Sequence, residues 1–127
     1  MAVDVAENLI SVIDDDDSLR SALVGLLRSH GYGAEGFATG EAFLAAGPVS
    51  ACIVTDIHMP GISGIELKEE LTRRGDSTPV IMITARSDAG LEGRVRASGA
   101  ACFLRKPFDT SDLVQCIESA LGAAPVP

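Results

Sequence analysis

Acidic side chains close two apolar runs in this chain. Leu9 to Ile13 runs into Asp14-Asp15-Asp16-Asp17, and Ala51 to Thr55 runs into Asp56, after which the chain turns through Met59-Pro60-Gly61. A third apolar run, 80–83, closes on the hydroxyl of Thr84, and a fourth, 101–104, leads into Arg105-Lys106-Pro107. Carboxylates brought together repel one another unless a cation sits among them. Oxygen donors without a His or Cys partner suit a hard ion, Mg²⁺ or Mn²⁺. A hydroxyl beside Asp56 can donate to an oxygen of a bound or transferred phosphoryl group. The ammonium of Lys106 is a counter-charge for anionic substrate oxygens.

Each of these residues also has a plainer reading. Asp16 and Asp17 fit a solvated helix start, outside any site. Asp56 taken alone fits an ordinary turn, and Thr84 fits a cap on the next turn. Lys106 alone is a surface charge, and Phe103 is a core residue of its strand. The four run ends in register favour a site for Asp14, Asp15, Asp56, Thr84 and Lys106. His58 is a lone loop histidine; the only other one, His30, falls at a helix end, so zinc is rejected. Lys106-Pro107 is a candidate cis bond, because a sharp turn there would aim the ammonium inward.

The elements that must position these groups follow from periodicity. Strands are expected at 9–13, 32–37, 51–56, 80–84 and 101–104, the second weak because Gly33 and Gly36 interrupt it. Asp17 or Ser18 is expected to cap a helix reaching Ser29, with Leu19, Leu23, Leu26 and Leu27 on one face. Thr39 starts a short helix, a third spans about 64–74, and Thr110 or Ser111 starts the last, with Leu113, Val114, Ile117 and Leu121. The helix expected at 88–98 contains Gly90 and Gly93, each costing about 1 kcal/mol against Ala. Its apolar face, Leu91 and Val95, is thin, so it is the expected mobile element. Alternating strands and helices imply an α/β fold: a doubly wound five-stranded parallel sheet, a (βα)₅ flavodoxin-like three-layer sandwich. The order 2-1-3-4-5 sets strand one beside strand three, so Asp14, Asp15 and Asp56 meet where strand order reverses.

At 127 residues the chain fits a single domain, with core 9–121 and a short tail 122–127. Ten Lys+Arg against 18 Asp+Glu give a net charge of −8, which disfavours direct binding to nucleic acid. Cys52, Cys102 and Cys116 form neither an even framework nor a ligand spacing; Cys52 and Cys102 read as small core residues in a reducing compartment. No export signal or membrane-spanning run is found, so a cytoplasmic protein is expected.

The blocks V-I-D-D-D-D-S-L-R, V-T-D-I-H-M-P-G-I-S-G, I-M-I-T-A and F-L-R-K-P-F, in that order, resemble the receiver domains of two-component response regulators over residues 9–121. The resemblance is closest to regulators of the nitrogen-fixation and nodulation type, which carry a LuxR-type DNA-binding domain. It implies that Asp56 is the phosphoacceptor and that Asp14, Asp15 and the backbone carbonyl of His58 join Asp56 in holding Mg²⁺, with Mn²⁺ able to substitute. It also implies that Thr84 and Lys106 contact the phosphoryl oxygens, that Thr84 and Phe103 form a switch, and that His58 and Arg86 tune dephosphorylation. Where many relatives have Tyr, Phe103 keeps the ring without the hydroxyl.

The implied activity is a signalling switch that catalyses its own phosphorylation and dephosphorylation, and is not a turnover enzyme. Its implied partners are a sensor histidine kinase or histidine phosphotransfer protein, an output domain or partner protein on the 88–121 face, and a second copy after phosphorylation. No output domain follows the last helix, which fits either a piece of a longer regulator or one that acts through its surface. Three other classes fit less well. A metal-dependent phosphohydrolase lacks a second carboxylate just beyond Asp56. A non-signalling module has no use for the intact acidic set, and a nucleotide-binding domain needs glycines where strand one ends in acids.

Overall fold

The computed structural model describes residues 9–86 and 88–122. Five strands, β1 (Leu9–Ile13), β2 (Gly33–Phe37), β3 (Cys52–Asp56), β4 (Val80–Thr84) and β5 (Cys102–Arg105), alternate with five helices. These are α1 (Asp17–Ser29), α2 (Gly40–Ala46), α3 (Gly64–Arg73), α4 (Leu91–Ala97) and α5 (Thr110–Gly122). The sheet is parallel throughout, in the expected order β2-β1-β3-β4-β5.

Because side chains alternate across a strand, the sheet divides its apolar residues between two faces. Ile10, Val12, Cys52, Val54, Ile81 and Ile83 pack with Leu23 and Leu27 of α1 and Leu113 and Ile117 of α5. Ile13, Ile53, Val80 and Met82 face the other way, against Phe43 of α2, Leu67 and Leu71 of α3, and Leu91 and Val95 of α4. β3 and β4 are buried along their whole length, as expected for strands covered by helices on both sides. The three layers follow. Among the described residues no helix is long and apolar enough to cross a membrane.

Some boundaries differ from the sequence expectations. The cap of α1 is Asp16, not Asp17 or Ser18; its backbone is extended and its carboxylate accepts the Leu19 N–H at 3.0 Å. The fourth helix is shorter than 88–98 because Gly90 adopts φ 78°, which makes it the last residue of the loop and not part of the first helical turn. The apolar face of α4 is narrow yet fully used, since Leu91 and Val95 are both buried. β2 forms despite its glycines, in register with β1 along its length. Cys102, read from the sequence as a lone core thiol, is half-buried and bonded to Cys116 of α5. Crossing the sheet edge brings together two cysteines that are 14 residues apart, a proximity their spacing does not reveal.

Candidate functional site

Strand register brings the acids together. Ile13 pairs with Thr55, so the residues that follow, Asp14 and Asp56, leave neighbouring strands at one end of the sheet. One carboxylate oxygen from each of Asp14, Asp15 and Asp56 can lie within 4.8 Å of the others. Asp14 and Asp56 are buried and Asp15 is exposed, so the cluster opens to solvent on one side. The Asp14 carboxylate accepts the Asp16 N–H at 2.9 Å, and Arg20 Nη1 donates to the Asp14 carbonyl at 2.7 Å, fixing the turn that presents the acid. Asp16 and Asp17 serve helix α1, the first as its cap and the second as the partner of Arg20.

Lys106 completes the crevice from β5. Its backbone N–H donates to the Thr84 carbonyl at 2.8 Å, and its Nζ lies 3.5 Å from Asp14 Oδ2 and 3.8 Å from Asp56 Oδ2. The Lys106-Pro107 bond is cis. Burial holds the Asp56 carboxyl above its ordinary pKa of 3.8; Lys106 and the Ile57 N–H oppose the rise, while Asp14 and Asp15 add to it. One ammonium therefore faces a crevice with three acids, and the donor set is all oxygen. Such a site fits a hard divalent cation by charge and by donor type.

Thr84 is fully buried at the end of β4, and its hydroxyl accepts the Arg86 N–H at 3.0 Å. The same oxygen lies 3.2 Å from His58 Nδ1, while His58 Nε2 lies 3.3 Å from Asp88 Oδ2. His58 thus joins the loop after Asp56 to the loop after Thr84. The sequence offers His58 no second metal ligand, and this link depends on two loops that only the folded sheet sets side by side. Arg86 is exposed, and its backbone N–H is what joins it to Thr84 at the crevice. The Phe103 ring is half-buried beside the α4 cluster, with the Arg105 guanidinium 5.5 Å from its centroid.

The loop after Asp56 is braced by contacts that the sequence reading did not include. Glu41 of α2 accepts the Ile62 N–H at 2.9 Å. Ser63 and Glu66 form a reciprocal capping box that starts α3. A Cβ on Gly64 would lie 2.5 Å from the Asp56 carbonyl oxygen and 3.1 Å from Ile57 Cα. These are backbone atoms, so Gly64→Ala is expected to cost about 1–3 kcal/mol, the range of overpacking, with the strain falling directly on Asp56. Urea melts measure this; an unchanged midpoint would show that α3 shifts freely.

The family model for the response regulator receiver domain matches residues 10–118. The transcriptional regulatory protein FixJ of Azorhizobium caulinodans is 44% identical over 115 residues, covering 89% of this chain and 54% of that protein. The chain spans about half the length of the curated relatives it matches. A response regulator receiver protein from Burkholderia phymatum superposes with a TM-score of 0.79 at 38% identity, covering 93% of this chain and 98% of that one. The solved structure of FixJ-N gives a TM-score of 0.84 at 30% identity, over 94% and 97% of the two chains. Fold, acidic cluster and family model agree, and the chain belongs to the response regulator receiver domains.

Proposed function

We propose that Asp56 accepts a phosphoryl group from a phosphohistidine donor, a sensor histidine kinase or a histidine phosphotransfer protein, and later loses it to water. The observation that carries this reading is the acidic cluster: three carboxylates converge within 4.8 Å, and one ammonium lies 3.8 Å from the proposed nucleophile. In the transfer, an Asp56 oxygen bonds to phosphorus as the P–N bond breaks, and the imidazole nitrogen keeps the electron pair. Hydrolysis reverses the roles: water attacks phosphorus and Asp56 leaves as a carboxylate. Asp14, Asp15, Asp56 and the His58 carbonyl would hold Mg²⁺ or Mn²⁺, which when bound offsets charge on the transferring oxygens.

The chain's own groups supply the rest. Lys106 keeps Asp56 more ionised than burial alone would allow, and its ammonium suits a phosphoryl oxygen. The Thr84 hydroxyl accepts from Arg86 and so retains a proton to donate. Thr84 and Phe103 form the switch in this reading, and His58 and Arg86 flank the path of the attacking water and tune its rate. The response reaches partners through α4, β5 and α5, where an output domain, a partner protein or a second copy would dock. In this reading the domain is a switch and not a turnover enzyme.

Borohydride trapping tests the acceptor. After incubation with a small-molecule phosphodonor and Mg²⁺, reduction of an aspartyl phosphate leaves homoserine, and this reading places it at position 56; homoserine elsewhere or nowhere overturns it. Asp15→Ala should reduce Mg²⁺ affinity and phosphorylation together. In EDTA it should raise stability slightly, by about 0.5 kcal/mol or less because Asp15 is exposed. Paired urea melts in EDTA check the second part, and a less stable variant would reveal a structural contact made by Asp15.

A further inference from the structure

We propose that Cys102 and Cys116 are a reversible redox modification site, a thiol–disulfide pair that fastens β5 to α5. Cys102 opens β5 and Cys116 lies within α5, with Cα atoms 6.0 Å apart, inside the span of about 4.4–6.8 Å that a disulfide bridges. Both residues are half-buried and line an open surface groove of about 350 Å³ with Asp112, Gln115 and Ser119. Small thiols and disulfides can therefore reach the pair. The remaining cysteine, Cys52, does not compete. It is fully buried within β3, and burial pushes its thiol up to about 12, leaving almost no thiolate to attack.

The co-reactant is a low-molecular-weight disulfide. One cysteine thiolate attacks it and expels a small thiolate. The second cysteine thiolate attacks the mixed disulfide and expels the other. Two electrons pass from the cysteine pair to the small disulfide, and the two thiol protons go to the two leaving thiolates. The bond closes a loop that contains Phe103 and Lys106. On the proposed phosphoacceptor reading, oxidation would tie β5, the strand that leads into Lys106, to the helix behind it and restrain the output face.

The test needs no phosphodonor, so it stands or falls apart from that reading. Native protein is equilibrated across glutathione buffers from fully reduced to fully oxidised, quenched with acid, unfolded and alkylated, and its intact mass is measured. The expected result is a transition from three labels to one, with a peptide map joining Cys102 to Cys116. Three labels in the most oxidising buffer would overturn the proposal. So would one label in the most reducing buffer, since the bond would then be permanent. A map joining any other pair would overturn it too. As a check, Cys116→Ser should form no internal disulfide in any buffer, and any label it loses under oxidation should appear as a glutathione adduct on Cys102; an adduct on Cys52 or a Cys52–Cys102 bond would count against the proposal.

Discussion

Asp56→Asn is expected to abolish phosphoryl incorporation and, in EDTA at neutral pH, to make the fold more stable than the parent by about 1 kcal/mol, the scale of an ordinary stabilising substitution. The stability gain follows from the raised native pKa of Asp56, whose largest cause is burial. A carboxyl whose native pKa exceeds its unfolded value holds its proton in the native state over an interval where the unfolded chain has released it. Stability therefore falls as pH rises through that interval, and the penalty is complete above the native pKa. Asn carries no such penalty. The difference between the two proteins should shrink as pH falls to the ordinary Asp value and vanish below it. Urea midpoints in EDTA across that range measure it. A variant less stable than its parent at neutral pH would mean that the Lys106 contact outweighs burial.

Lys106→Ala should act in the opposite direction on stability and should separate phosphorylation from response. Without the ammonium, the buried Asp14 and Asp56 carboxylates lose the cation that lies 3.5 and 3.8 Å from them. The expected loss in EDTA is about 1–2 kcal/mol, below the 3–5 kcal/mol of a fully buried pair because Lys106 is partly solvated. The loss should fade at acid pH as Asp56, whose pKa burial raises, takes up its proton. Asp56 should still take a phosphoryl group, more slowly, because its pKa rises further. The response should fail. Lys106 leaves β5 three residues after Phe103, and its backbone is already bonded to Thr84, so a pull on its ammonium moves both strand ends. Amide NMR shifts over residues 88–121, with and without a phosphoryl mimic, measure this. Parent-like shifts in the variant would leave Thr84 as the sole route of coupling.

Much of this arrangement was legible in the chain. Apolar runs that end in Asp14, Asp56, Thr84 and Lys106 encode both a parallel sheet and the edge at which its ligands collect, so strand order and the acidic cluster followed from the same residues. What escaped was contact between groups on separate elements and loops. His58 meets Thr84 and Asp88, and Glu41 meets Ile62, through distances that exist only after the sheet has formed. The Cys102–Cys116 bond was hidden for the same reason: one residue belongs to a strand, the other to the helix that folds back over it. The helix at 88–98 was drawn too long because Gly90 was counted as a weak helical residue, whereas its left-handed backbone sets the boundary.

Intact mass of the parent after exposure to a small phosphodonor, with Mg²⁺ and with EDTA, tests the central claim most directly. The expected result is the addition of one phosphoryl group with Mg²⁺ and none with EDTA, with no addition to Asp56→Asn in either buffer. Equal addition in both buffers, or an undiminished addition to the Asn variant, would contradict the assignment of Asp14, Asp15 and Asp56 as one metal-dependent acceptor site.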